Sequence, residues 1–134
     1  MKIYTSYFSN GKKLAEAGVV MIGIALYPPK WFSGTSLKYV APTASILFAK
    51  GQTSEEYTRR YKAEVLARVN PQLLIESLRQ LGKGRDVALC CFEKPESFCH
   101  RHILAEWLTA KTGIEITEFG YVPKKPEPQQ LSLF

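Results

Sequence analysis

The sequence lacks several features that would narrow its function at once. It has no apolar run long enough to cross a membrane, and its first residues do not form a signal peptide, so we expect a cytoplasmic protein with no membrane partner. Its three cysteines are an odd number and two are adjacent, which is a poor disulfide framework and is typical of a reducing compartment. Glycine-rich phosphate loops, dinucleotide fingerprints and Ser-His-Asp patterns are also missing, so we expect no cofactor.

What the sequence does contain is typical of a small folded domain with anionic partners. The chain has 134 residues, of which 46% are hydrophobic, with seven Phe and seven Tyr, enough for one domain with its own core. Its formal charge of +6 favours nucleic acid, nucleotides or acidic proteins as partners. The cations are spread along the chain rather than clustered, which predicts low sequence selectivity for any nucleic acid that the domain contacts.

Strand and helix patterns alternate along residues 1–121. Residues 3–8, 19–26, 86–92 and 114–121 are rich in β-branched, aromatic or continuous apolar residues, which predicts four strands. Helices are predicted at 12–17, near 43–50, from the Thr53/Glu56 capping box to Val69, at 71–81 and at 100–111. This alternation predicts a single-domain α/β fold, with a parallel-dominated sheet flanked by helices in a Rossmann-like three-layer arrangement.

Residues 122–134 differ in composition from this domain. The segment 122–128 is proline-rich and polar, which favours a flexible, extended tail. An apolar peptide follows it, and such a peptide is an aggregation liability unless a partner or the domain covers it. An edge strand folded back onto the domain is one interpretation. The peptide also resembles the motif by which bacterial DNA-maintenance proteins bind the polymerase sliding clamp, and the residues that carry the resemblance are Gln130, Leu131, Ser132, Leu133 and Phe134.

Candidate catalytic residues concentrate in the strand–loop–helix segment 89–102. This pattern predicts Glu93 at the carboxyl end of a strand and Cys99, His100 and Arg101 in the first turn of a helix. Open α/β sheets bind ligands at such crevices, and the free N–H groups of a helix start favour anions. We therefore expect these four side chains to surround one crevice.

Each of these residues has a structural as well as a functional interpretation. Glu93 is a general base or a structural partner of Arg101, and Cys99 is a reactive thiol or a packed one. His100 is a proton donor or ligand in the crevice, or a hydrogen-bonded core histidine. An arginine at a helix N-terminus opposes the helix dipole, so Arg101 should have an anion or a carboxylate as its partner.

The adjacent cysteines must face opposite sides of the sheet. Cys90 is expected to behave as a small buried hydrophobe, and Cys91 is the better candidate for the crevice. A zinc site of Cys91, Cys99 and His100 is disfavoured, because the spacing is not that of a zinc finger and neighbouring residues do not easily point at one ion. A cysteine-phosphatase or rhodanese-like loop is disfavoured by Pro95 and two acidic residues. No metal is therefore expected.

The run ALCCFEKPESFCHRHILAEWL resembles the signature of the domain-of-unknown-function 488 family, a Cys-aromatic-Glu-Lys-Pro stretch followed by Cys-His-Arg. The run GIALYPPKWFSG is also similar to that family. The resemblance covers much of residues 19–113 and implies an α/β fold and a shared site, without a settled activity. The start of the chain and the extra Cys90 are less typical of the family.

Taken together, these patterns predict a protein of bacterial or phage DNA metabolism or repair that is docked to the sliding clamp. In one hypothesis it is an enzyme acting on a nucleotide or nucleic acid at the Glu93/Cys99-His100-Arg101 site, with Trp31, Phe32 and Cys91 as the ligand wall. In a second it is a non-catalytic adaptor on the clamp, and in a third a small-molecule enzyme unrelated to DNA. A ligand or metal held in the Glu93/His100 crevice would favour an enzyme, and a crevice filled by the protein's own side chains would favour the adaptor.

Overall fold

The computed structural model describes residues 1–92 and 98–120. Within these ranges the chain forms four strands and five α-helices: β1 (Ile3–Tyr7), α1 (Gly11–Glu16), β2 (Val20–Gly23), α2 (Ala44–Leu47), α3 (Ser54–Glu64), α4 (Pro71–Gly82), β3 (Val87–Cys91), α5 (His100–Thr112) and β4 (Ile116–Glu118). The strands make one sheet in the order β2-β3-β1-β4, and every pair is parallel. The predicted single-domain α/β fold with a parallel sheet flanked by helices is therefore confirmed.

The two faces of the sheet carry separate apolar clusters. Because successive side chains of a strand point to opposite faces, Val87, Leu89 and Cys91 of β3 belong to one cluster and Ala88 and Cys90 to the other. The larger cluster also takes residues from α3, α4 and α5, and the smaller one packs against α1. A sheet covered on both faces explains why β3 is buried at all five positions.

Helix starts follow the capping residues that the sequence supplies. The Thr53 side chain accepts from the Glu56 N–H at the start of α3, and Asn70 accepts from the Leu73 N–H at the start of α4, where Pro71 is the first helical residue. These caps fix the starts of α3 and α4, two of the helices that pack over the sheet.

Three predicted elements are shorter than expected. The helix that begins at Ser54 ends at Glu64 and is followed by a separate 3₁₀ turn, Leu66–Arg68, which lets Val65 and Leu66 both reach the core. Strand β2 ends at Gly23, because its N–H donates to the Thr35 carbonyl at 2.8 Å where the following loop returns to the sheet. Strand β4 covers only Ile116–Glu118, the length that pairs with β1.

No helix within residues 1–92 and 98–120 has the length and apolar character needed to cross a membrane.

Candidate active site

A crevice opens beside the carboxyl ends of β2 and β3. Its volume is about 640 Å³, and its lining comes from the segments after β2 and β3, from the region of α2, and from the starts of α3 and α5. This is the position at which parallel α/β sheets bind ligands. The aromatic residues that line it are Tyr27, Phe48, Tyr57, Phe92 and Phe98.

These aromatic rings are arranged in pairs and are open to solvent. Tyr27 stacks on Phe48 with ring centres 6.2 Å apart, and Tyr57 meets Phe98 edge to face at 5.1 Å. Phe48 is 65% exposed and Phe98 is 50% exposed. An exposed group of large aromatic side chains around a concave site is typical of a ligand-binding surface.

Three reactive side chains form the floor of the crevice. Cys91 ends β3, Cys99 is the N-cap of α5, and His100 is the first residue of that helix. All three are buried, yet all three line the crevice. Their sulfur and nitrogen atoms lie within 4.8 Å of one another.

The hydrogen bonds of His100 define the state of its ring. Nε2 lies 2.6 Å from the carbonyl oxygen of Ile24, and since a carbonyl only accepts, Nε2 carries the proton in the neutral ring. Nδ1 is then an acceptor, 3.7 Å from Sγ of Cys99. Burial lowers the pKa of His100 to about 4 despite the Ile24 hydrogen bond, and the Arg101 charge acts in the same direction as burial. The imidazole is therefore neutral near pH 7.

The two cysteines of β3 have different environments, as the alternation of strand side chains requires. Cys90 lies in the cluster on the opposite face, and burial raises the pKa of its thiol to about 12. It is a free, inert thiol. Cys91 faces the crevice, and its sulfur is joined to that of Cys99 across a Cα–Cα separation of 7.6 Å. Disulfides usually span about 4.4–6.8 Å between Cα atoms, so a lasting bond here would need the backbone to move.

Arg101 lies behind the floor and not in the crevice. Its side chain is fully buried and makes a two-pronged pair with Glu118, with Nε to Oε1 and Nη2 to Oε2 both at 3.1 Å. Nη1 donates to Sγ of Cys91 at 2.8 Å. Of the two partners expected for Arg101, an anion or a carboxylate, the structure shows a carboxylate. Its carboxylate partner is Glu118 of β4, and the residue positions Cys91.

The sequence analysis argued that the neighbours Cys99 and His100 do not easily point at one ion, but the structure brings their side chains together. Cys99 has an extended backbone, with φ −154° and ψ 146°, whereas His100 is the first helical residue. This change in backbone direction brings the two neighbouring side chains to the same side. Helix α5 begins with Cys99 as its N-cap.

The other predicted site residues are placed as follows. Trp31 and Phe32 pack around Phe8, with ring centres 6.4 and 5.0 Å away, and neither is among the described residues that line the crevice. Glu93 and the clamp-binding peptide 130–134 lie outside the described residues.

The sequence analysis did not identify Glu118 or the four paired rings that line the crevice. These rings, Tyr27, Phe48, Tyr57 and Phe98, are called the aromatic wall below. Glu118 lies 17 residues after Arg101 on another strand, with no local signal for the pair. Tyr27, Phe48, Tyr57 and Phe98 come from four separate segments of the chain. Without the strand order, nothing in the sequence indicates that these four rings meet.

The parallel sheet, with a buried cluster of two cysteines and a histidine at its carboxyl edge, defines an α/β protein with a crevice at that edge. A family model described as "Active DUF488-N3 subclade" matches residues 5–112, which is most of the chain. The chain therefore belongs to the DUF488 family, as the Cys-His-Arg signature predicts. Comparison with curated proteins and with solved structures gives no match.

Proposed function

We propose that this protein is an enzyme of bacterial or phage DNA metabolism or repair, and that it acts on a nucleotide or nucleic acid bound in the crevice. The observation that supports the proposal is that the aromatic wall and the cluster of Cys91, Cys99 and His100 line the same crevice. The side chains of the described residues do not fill the crevice, so the feature that would favour the adaptor is not seen in this part of the chain.

The aromatic wall supports a flat ligand. Tyr27 and Phe48 present stacked rings at one part of the crevice, and Tyr57 and Phe98 present an edge-to-face pair at another. Nucleobases are recognised on such surfaces, because every base has a π-face that stacks on an aromatic ring. The positive charge of the chain supports the same class of ligand, since it attracts the phosphates of a nucleotide.

The floor supports chemistry on that ligand. In the neutral ring of His100, Nδ1 is unprotonated and lies next to the Cys99 sulfur, and both residues line the space that the ligand would occupy. Arg101 donates to the Cys91 sulfur, a contact that favours the thiolate when this cysteine is reduced. Glu93, two residues after Cys91 along the chain, is the candidate general base.

A wall variant tests ligand binding. Phe98→Ala should weaken binding of mononucleotides or short single-stranded oligonucleotides by about 5- to 100-fold in calorimetric titrations, the range that corresponds to about 1–3 kcal/mol per stacked base. Trp31→Ala is the matched control, because Trp31 is also an exposed aromatic residue but does not line the crevice.

The comparison of the two variants decides between surfaces. If both variants lose affinity equally, or if only Trp31→Ala loses affinity, the Trp31-Phe32 loop predicted from the sequence contacts the nucleotide. If the unchanged protein binds no nucleotide or oligonucleotide in the panel, the nucleotide proposal is wrong. A small-molecule enzyme unrelated to DNA then becomes the better hypothesis.

The second part of the proposal is docking to the polymerase sliding clamp in the cytoplasm through residues 130–134. It is supported by the match of Gln-Leu-Ser-Leu-Phe to the clamp-binding pentapeptide and by the proline-rich segment before it. Changing Leu133 and Phe134 to Ala should abolish binding to purified clamp and leave the melting temperature unchanged. Clamp binding that survives this change, or a large fall in melting temperature, would contradict docking through the peptide.

A further inference from the structure

We propose that Cys91, Cys99 and His100 bind a zinc ion, with the fourth coordination position open to the crevice. The ligand atoms are Sγ of each cysteine and Nδ1 of the histidine. Within residues 1–92 and 98–120 this is the one group of three such side chains that converge closely enough to share an ion. The proposal does not depend on the nucleotide hypothesis, because metal content can be measured without any ligand.

The spacing of the donor atoms fits a tetrahedral ion. Zinc–sulfur bonds of about 2.3 Å and zinc–nitrogen bonds of about 2.0 Å place neighbouring ligand atoms roughly 3.3–3.8 Å apart. Sγ of Cys99 and Nδ1 of His100 are separated by 3.7 Å. The sulfurs of Cys91 and Cys99 are bonded to each other in this structure, but their Cα atoms are 7.6 Å apart, wider than a disulfide prefers, so in the reduced protein the two side chains would separate far enough to share an ion.

The surroundings of these atoms are those of a metal site. A zinc-binding histidine usually donates its second ring N–H to a carbonyl or carboxylate, which orients the nitrogen that binds the metal. His100 does this through Nε2 to the carbonyl of Ile24. Cys91 accepts a hydrogen bond from Arg101, and Arg101 is in turn held by Glu118. These two residues therefore orient the Cys91 sulfur, one of the three proposed zinc ligands.

The charges of the site also balance. Two thiolates neutralise a divalent ion, and Arg101 and Glu118 neutralise each other, so the buried cluster as a whole carries no net charge. Uncompensated charge at this depth would be costly. Two thiolates and an imidazole are soft and borderline ligands, which select zinc over magnesium or calcium.

The crevice defines the class of site. Structural zinc sites take four protein ligands, whereas catalytic sites take three and leave the fourth position for water or substrate. All three proposed ligands line the crevice, so that position faces the space between the aromatic rings. The ion would thus be a catalytic one, in contact with whatever the crevice binds.

Metal analysis of the full chain tests the proposal. After purification with a phosphine reductant and dialysis against micromolar zinc, elemental analysis should find close to one zinc ion per chain. Replacement by cobalt should give thiolate-to-cobalt charge-transfer absorption and the visible bands of a tetrahedral site. These measurements on the unchanged protein do not depend on whether any variant folds.

Matched cysteine variants locate the ion. Cys91→Ala and Cys99→Ala should each lose most of the bound zinc and the cobalt charge-transfer band, and His100→Gln should weaken both. Cys90→Ala is the control, because that thiol is the immediate neighbour of Cys91 but faces the other side of the sheet, and it should keep both signals. A chelator should lower the melting temperature of the unchanged protein and of Cys90→Ala, but not that of Cys99→Ala.

Three results would overturn the proposal. One is a fully reduced, folded protein that takes up no zinc or cobalt. Another is metal that remains in Cys91→Ala and Cys99→Ala, which would mean that other residues bind it. Stable Cys91–Cys99 disulfide in protein kept under mild reductant, with no metal, would identify the pair as a redox couple and would also overturn it.

Discussion

Removing one partner of the buried pair of Arg101 and Glu118 should be one of the most destabilising single changes in this fold. Glu118 lies at the end of β4 with its side chain 7% exposed, and Arg101 is fully buried at the start of α5. Thr5 of β1 donates to the same carboxylate at 2.6 Å. The pair therefore ties a helix to the edge of the sheet. Glu118→Gln keeps the shape of the side chain and removes its charge.

The expected cost follows from what the substitution leaves behind. Arg101 would remain charged and fully buried without its carboxylate, and breaking a buried pair in this way costs about 3–5 kcal/mol. That is a large fraction of the roughly 5–15 kcal/mol by which small domains are stable. The double variant Arg101→Met/Glu118→Leu removes both charges, so it should be less destabilised than Glu118→Gln alone.

Urea unfolding followed by circular dichroism, with reductant and chelator present, measures this cost. The control is Glu76→Gln, which removes the carboxylate of the exposed Arg79–Glu76 pair and should change the free energy of unfolding by less than about 1 kcal/mol. If Glu118→Gln is no more destabilising than Glu76→Gln, the pair is not buried in solution, and the account of Arg101 as a positioning residue is wrong.

Three further predictions concern buried groups and a helix cap. Tyr61→Phe should lower the free energy of unfolding by about 1–3 kcal/mol, because the buried tyrosine hydroxyl donates to the Val40 carbonyl at 2.5 Å and the carbonyl would be left unpaired; an unchanged urea midpoint would contradict this. Thr53→Ala should cost about 0.5–2 kcal/mol through loss of the cap on the Glu56 N–H, and a neutral result in the same assay would mean that the cap is not formed. Cys90 should resist iodoacetamide in the native protein, because burial raises its thiol pKa to about 12, and should react after unfolding; rapid native modification, located by mass spectrometry, would contradict its burial.

Local patterns in the sequence were sufficient for the elements of the fold and for part of the site. The capping residues Thr53 and Asn70 mark helix starts that the structure contains. The uninterrupted apolar run of β3 indicates a central parallel strand, and alternation along that strand separates Cys90 from Cys91. These features depend on neighbours close in the chain, which is why they can be read from it.

Contacts between distant segments could not be predicted in the same way. The partner of Arg101 is set by where β4 lies in the sheet, and the sequence does not state that β4 is beside β1. The bond from His100 to Ile24 spans 76 residues. The aromatic wall was assigned to Trp31 and Phe32 because they follow a strand, but the loop turns toward Phe8 and leaves the wall to other rings.

The most direct test of the account is to map nucleotide binding on the protein by NMR. In titrations of ¹⁵N-labelled protein with mononucleotides and short oligonucleotides, backbone amide shifts should concentrate at residues 25–27, 47–49, 52–54, 57 and 98–100, which line the crevice. The Phe98→Ala protein should show the same pattern at higher ligand concentration. Shifts confined to lysines and arginines elsewhere on the surface, or no shifts at millimolar ligand, would contradict a nucleotide site in this crevice.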